Sequence, residues 1–157
     1  MIYWFTGQPA AGKTILGKKL IEFLTTEKRN WRKKVFHLDG EDLRELTVNK
    51  DYTPKGREIN IRNAQMITEF LHKNECDVVV SLVAPPRWLR EEFKERIGLE
   101  NFQEFYVHCS DPRERDHFHS KNYEAPQDNF IDVDTTKHSP EKSFSKIINT
   151  LKKLNRL

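Results

Sequence analysis

The strongest restriction on the fold lies within the first fourteen residues. A short apolar run, Ile2 to Thr6, leads directly into Gly7-Gln8-Pro9-Ala10-Ala11-Gly12-Lys13-Thr14, a full match to G-x-x-x-x-G-K-[ST]. At average composition a chain of this length matches by chance on the order of 1% of the time. The strand before the motif and the helical pattern after it lower that further. Gly7 and Gly12 permit backbone angles and a close approach that a Cβ would block. The loop's N–H groups and the N-terminus of the following helix then face a phosphate. Gly7, Ala10, Ala11, Gly12, Lys13 and Thr14 are therefore expected to bind a nucleoside triphosphate. Lys13 neutralises the β- and γ-phosphates, and the Thr14 hydroxyl ligates Mg²⁺.

The rest of the chain repeats the alternation that this first unit begins. Lys13 to about Glu27 carries Ile15, Leu16, Leu20, Ile21 and Leu24 at helical spacing. Val35 to Leu38 reads as a strand ended by a turn at Asp39-Gly40. Arg57 to about Lys73 reads as a helix with Ile61, Ala64, Ile67 and Leu71 on one face. Cys76 to Val83 is a near-continuous β-branched run, as expected of a strand buried on both faces. Pro85-Pro86 stops it. A helix from Trp88 to Ile97, strands at Phe102 to His108 and Asn129 to Val133, and an amphipathic helix from Phe144 to Leu154 complete the pattern. Alternating strands and helices call for an α/β fold of three layers, a parallel sheet of about five strands flanked by helices. The 157 residues are read as a single domain spanning 1–157. Trp88 is expected in the core and Trp31 in a partly exposed loop.

Composition excludes several alternatives. Net charge is +3, too small to imply a nucleic-acid partner. The local excesses, around Trp31 and in the tail from Lys137 to Arg156, read as solvated surface. No apolar run approaches a membrane span, and the N-terminus lacks the basic start of a signal peptide. Cys76 and Cys109 are the only cysteines and form no C-x-x-C, which points to a reducing, cytoplasmic setting. Cys76 is placed at a helix end or in the core, Cys109 at a strand end. Two histidines two apart, His117 and His119, are a weak signal for zinc.

His37-Leu38-Asp39-Gly40-Glu41-Asp42-Leu43-Arg44 follows the second strand. Ligands in open α/β sheets bind outside the carboxyl ends of strands, so this cluster should face the phosphate loop. Asp39 suits two roles there: accepting a proton from an attacking hydroxyl, or holding a magnesium-bound water. Taken with the phosphate loop, the segments L-D-G-E-D-L-R, R-E-I-N-I-R-N, S-L-V-A-P-P-R and Y-E-A-P resemble adenylylsulfate kinase from about Ile2 to about Asp134. The resemblance implies a P-loop kinase fold. It also implies transfer of the γ-phosphoryl of ATP, with Mg²⁺, to the 3′-hydroxyl of adenylyl sulfate, and a small anionic nucleotide as partner. Lys13 and Asp39 become the catalytic pair. Asp39, Arg44, Tyr52, Arg57, Asn60 and Ser81 become the acceptor-binding set, with Thr53 and Arg62 beside them. Arg115 and Pro126 join the ATP site. Homodimers are common in the family.

The sequence departs from that pattern in three places. Asp42 replaces an amide. Ala84 stands where the family has a serine before proline. After Arg115-Asp116 the family's long basic lid is cut to His117-Phe118-His119-Ser120-Lys121-Asn122 before Tyr123. Phe118 and Lys121 are candidates for what remains of the clamp on the acceptor base. Ser81 ends the strand where other P-loop enzymes carry a carboxylate for a magnesium-bound water. These departures leave the donor half intact and widen the choice of acceptor. An alternative is another nucleotide-linked group such as cytidine diphosphoramidate; others are a hydroxyl on a modified nucleic acid and a non-catalytic nucleotide-binding protein.

Overall fold

The computed structural model describes residues 1–26, 34–111 and 119–157. Its elements run β1 (Ile2–Thr6), α1 (Lys13–Thr26), β2 (Val35–Asp39), α2 (Gly40–Leu46), α3 (Pro54–Lys73), β3 (Asp77–Ser81), α4 (Arg87–Ile97), a 3₁₀ turn (Leu99–Asn101), β4 (Phe102–His108), β5 (Phe130–Asp134) and α5 (Pro140–Lys153). The five strands form one parallel sheet in the order β2-β3-β1-β4-β5. The expected three-layer α/β architecture is therefore present. Trp31 and the adjoining basic residues Lys28 to Lys33 lie outside the described residues.

Alternation along β1 builds a core on each face of the sheet. Tyr3 and Phe5 point to the side covered by α1 and α5, where they meet Leu16, Leu20, Phe105 and Ile147. Ile2 and Trp4 point to the side covered by α2, α3 and α4, where they meet Leu43, Ile61, Leu89 and Phe93. Phe5 stacks on Phe105 with centroids 4.4 Å apart, and Phe93 meets the Phe102 ring edge-on at 5.7 Å.

Several boundaries differ from the sequence expectation, each for a local physical reason. The Asp39-Gly40 turn is instead the start of α2. Asp39 is its N-cap, accepting from the Glu41 N–H at 3.0 Å, with Glu41 and Asp42 favourably placed in the first turn. Seven residues are too few for helical periodicity to register. The start of α3 is Pro54 rather than Arg57, because Thr53 caps it and Pro54 fits the first helical position. Ser139 and Pro140 extend α5 in the same way. The β3 ladder ends at Ser81, two residues short of Val83, because both neighbours leave the sheet there: Asp39 turns into α2 and Thr6 into the phosphate loop.

Trp88 is not in the core. It is 52% exposed in the first turn of α4, with the Arg62 guanidinium 5.5 Å from its ring centroid. The face that α4 buries carries Leu89, Arg90, Phe93 and Lys94, and Trp88 falls outside it. Cys76 is buried, and Cys109 follows the end of β4, as expected.

Two of those buried α4 residues are cationic and meet Glu104 in the middle of β4. Arg90 Nε lies 2.8 Å from Glu104 Oε1, and Lys94 Nζ lies 2.5 Å from Oε2. The Arg90 fork also donates to the carbonyls of Ala84, Pro85 and Glu124. Removing one member of such a triad strands buried charge. Glu104→Gln should therefore lower unfolding free energy by about 3–5 kcal/mol, measured as a shift in the urea midpoint at unchanged slope.

Candidate active site

The site forms where β1, β2 and β3 end. Gly7 has φ +144°, and a Cβ there would come 1.9 Å from the Val107 carbonyl oxygen on β4. Only glycine lets the loop leave β1 this close to its neighbour. Gly12 has φ +104° and Ala10 φ +60°, so the loop turns through two more left-handed positions before α1.

Lys13 is 8% exposed, and its Nζ donates to the Gln8 carbonyl at 2.7 Å. Burial pulls its ammonium down to about 8, against the opposing pull of Asp39 and Glu41. A charge held under such strain gains from an incoming phosphate. Beside it, Thr14 Oγ1 donates to Asp39 Oδ2 at 2.7 Å. Asp39 thus has one oxygen on Thr14 and the other on the α2 N-terminus. A hydroxyl and one carboxylate at the lip of a phosphate site match Mg²⁺, which takes one or two protein oxygens and completes its shell with phosphate and water. Among the described residues no cluster of three His, Cys, Asp or Glu side chains is placed to hold a metal by itself. Asp116 and His117 lie outside the described residues.

The phosphate cradle opens into a cavity of about 270 Å³ whose far wall is cationic. Arg44 Nη1 donates to the Asn49 and Asp51 carbonyls at 3.1 and 2.8 Å, and its guanidinium sits 4.2 Å from the Tyr52 ring centroid. Arg57 Nε donates to the Tyr52 carbonyl at 3.0 Å. Burial and the neighbouring Arg44 charge both lower the proton affinity of the Arg57 guanidinium. An anion between the two arginines would relieve that repulsion. Asn60 is 2% exposed; its Nδ2 donates to the Gly40 carbonyl, and its Oδ1 has no hydrogen-bond partner among the described residues. Buried polar atoms are rarely left so, which suits a ligand donor.

Of the residues singled out from sequence, Ala10, Lys13, Thr14, Asp39, Arg44, Tyr52, Arg57, Asn60 and Ser81 all line this cavity. Ser81 donates to the Lys13 carbonyl at 3.3 Å and bonds His37 Nε2 at 3.0 Å. Burial lowers the His37 imidazole, so the neutral ring supports the first turn of α1 through Ser81. Arg62 is elsewhere, paired with Glu58 at 2.9 Å and Glu92 at 3.6 Å. Thr53 caps α3. Ala84 lines the cavity and holds φ +43°. Arg115 and Phe118 lie outside the described residues, and Lys121 is exposed. Pro126 is buried but lines neither this cavity nor a second one of about 260 Å³ on the other side of the loop.

Sequence reasoning missed Glu41 and Gln8. Glu41 lines the cavity and accepts from the Tyr52 hydroxyl at 3.0 Å. It lies two residues after Asp39 on the first turn of α2, a helix whose Asp39-Gly40 start has the sequence of a turn. Gln8 is an unrestricted position of the motif, and nothing in the sequence marks it.

A triphosphate cradle at the carboxyl edge of this sheet, continuous with a cationic pocket, defines a P-loop phosphotransferase. Comparison with known proteins narrows the class. The sequence profile described as Adenylylsulphate kinase matches residues 1–143. The chain is 32% identical to the adenylyl-sulfate kinase of Halothermothrix orenii, over 94% of this chain and 87% of that protein. It is 27% identical to the cytidine diphosphoramidate kinase of Campylobacter jejuni, over 89% of this chain and 81% of that protein. The solved APS kinase CysC of Mycobacterium tuberculosis, in complex with AMPPNP and APS, shares the fold at a TM-score of 0.77, with 19% identity and 96% of each chain covered. The chain belongs to the adenylylsulphate kinase family.

The depressed Lys13 ammonium sets a pH limit. kcat/KM for ATP should fall as pH rises through about 8, where the free protein loses the Lys13 proton. kcat should hold to higher pH, since bound phosphates restore the charge. Paired pH profiles of the two constants check this; a profile flat through pH 8 in both would contradict it.

Proposed function

We propose that the protein transfers the γ-phosphoryl of ATP to the 3′-hydroxyl of adenylyl sulfate. The observation that carries the reading is the continuity of one cavity from Lys13 and Thr14 to Arg44, Arg57 and Asn60. Donor phosphates at one end and an anionic acceptor at the other place the two reactants in line. Phosphoryl transfer needs little beyond that positioning and charge stabilisation.

Lys13 exchanges the Gln8 carbonyl for the β- and γ-phosphates. Thr14 and Asp39 would hold Mg²⁺, which when bound neutralises phosphate charge. The bond from Thr14 sets Asp39 on the metal side of the site, and that position favours the metal-side role over proton abstraction. Glu41, on the acceptor side and beside Arg44 and Tyr52, is the carboxylate better placed to take the hydroxyl proton. Arg44 and Arg57 present fixed positive forks to the phosphate and sulfate oxygens of the acceptor. Cys76 and Cys109 form no disulfide, which fits a reducing cytoplasm. Among the described residues no helix is long and apolar enough to cross a membrane.

A second reading keeps the chemistry and changes the acceptor. The Ala84 methyl lines the acceptor cavity where the family pattern has a hydroxyl, and only six residues link Asp116 to Tyr123. Both features favour testing cytidine diphosphoramidate beside adenylyl sulfate.

Coupled ADP-release assays with the two acceptors at fixed ATP decide between them, and absence of turnover with both refutes the proposed reaction. On the active acceptor, Arg57→Ala should raise the acceptor KM roughly tenfold or more, as expected for loss of a charge-assisted contact, with KM for ATP little changed. Glu41→Gln should lower kcat by about 10²–10⁴-fold. Asp39→Asn should cost on the order of 10²-fold or more, and raising Mg²⁺ should recover part of that loss.

A further inference from the structure

The residues flanking Gly7 on either side both reach the same distant turn. On one side, Gln8 makes two bonds to the Ser120 peptide: its Nε2 donates to the Ser120 carbonyl, and its Oε1 accepts from the Ser120 N–H, each at 2.9 Å. On the other, the Thr6 hydroxyl lies 3.0 Å from the Tyr123 hydroxyl and donates to the Val83 carbonyl at 2.8 Å, so Tyr123 is the donor to Thr6. The Tyr123 N–H closes the turn onto the Ser120 carbonyl at 3.2 Å. Residues 120–123 are thereby stapled at two points to the start of the phosphate loop.

The Gln8 staple also bears on the nucleotide. The main-chain carbonyl of Gln8 is the group that receives the Lys13 ammonium. Pro9 disfavours the helical region for Gln8, and the side-chain bonds to Ser120 hold it from the other end. One residue thus fixes both the resting partner of Lys13 and the position of the turn. The second cavity is bordered by Gln8 and by His119, the residue before Ser120. Phosphates that draw Lys13 away would release the Gln8 carbonyl, and the side chain of that same residue holds Ser120.

We infer that Gln8 is a positioning residue that couples occupancy of the phosphate cradle to the 120–123 turn. This rests on the proposed nucleotide chemistry but not on the identity of the acceptor. Coupling of this kind is reciprocal: nucleotide must stabilise the turn as much as the intact turn favours nucleotide.

The test uses the full chain with AMPPNP and Mg²⁺. Amide hydrogen exchange at Ser120 and Tyr123 and calorimetric affinity are measured for wild type, Gln8→Ala and Gln8→Glu. Gln8→Glu keeps the length but sets a carboxylate against the Ser120 carbonyl. In wild type, nucleotide should slow exchange of both amides. In both variants that slowing should vanish and affinity should fall roughly 5-fold or more. Ile148→Val, a core change on α5 far from the turn, lowers stability while leaving the response unchanged. Affinity of Gln8→Ala within twofold of wild type, or slowing that persists in it, overturns the inference. A wild-type protein that binds AMPPNP but phosphorylates neither acceptor refutes the proposed reaction and leaves the Gln8 result standing; one that binds no nucleotide overturns both.

Discussion

The Asp39 carboxylate is the junction on which the site depends. It ends β2, caps α2 through the Glu41 N–H, and receives the Thr14 hydroxyl from α1. A group that is 9% exposed thus ties the β2–α2 junction to the first turn of α1, 25 residues earlier. Its negative charge also offsets part of the desolvation that depresses Lys13. The acceptor wall follows from the same junction. The start of α2 sets where Glu41 lies, the body of α2 carries Arg44, and Asn60 on α3 returns a bond to the Gly40 carbonyl.

Cations are used in two ways. Arg90 and Lys94 are sealed against Glu104 and several carbonyls, where they join α4, β4 and the 123–126 segment. They build the scaffold. Arg44 and Arg57 are anchored by backbone oxygens and both lie beside the Tyr52 ring, and among the described residues neither is in a salt bridge. The Arg44 charge acts against that of Arg57 and Glu41 offsets only part of it, so an anionic acceptor is favoured there. The near-neutral net charge conceals this division because it sums over both sets and over the paired surface residues along α3 and α4.

Much of the fold was legible from the chain. β1 and β4 have the bounds expected from their apolar runs, and α1 begins at Lys13 as the motif requires. Apart from the early end of β3, the differences fall at helix starts, where Thr53-Pro54 and Ser139-Pro140 are capping signals that outrank apolar periodicity. For Trp88 aromatic size suggests burial, whereas the phase of α4 leaves it exposed. Much of the candidate site was legible for a different reason: phosphate binding restricts residue type tightly at Gly7, Gly12, Lys13 and Thr14. Arg62, by contrast, looked as suitable as Arg57, five residues earlier, and only the orientation of α3 separates them.

The sequence by itself determined the phosphate loop, the α/β alternation and the family, because each depends on local residue type and spacing. Only the tertiary structure decided which partners the two neighbouring carboxylates hold. Asp39 and Glu41 are two residues apart and chemically alike, but the N-cap geometry of α2 turns one toward Thr14 and the other toward Tyr52 and the arginines. It also decided the role of Gln8, whose two bonds to Ser120 span 112 residues. Such a contact leaves no periodic or compositional trace in the chain, since any polar residue satisfies the motif there and only the packed fold supplies its partner.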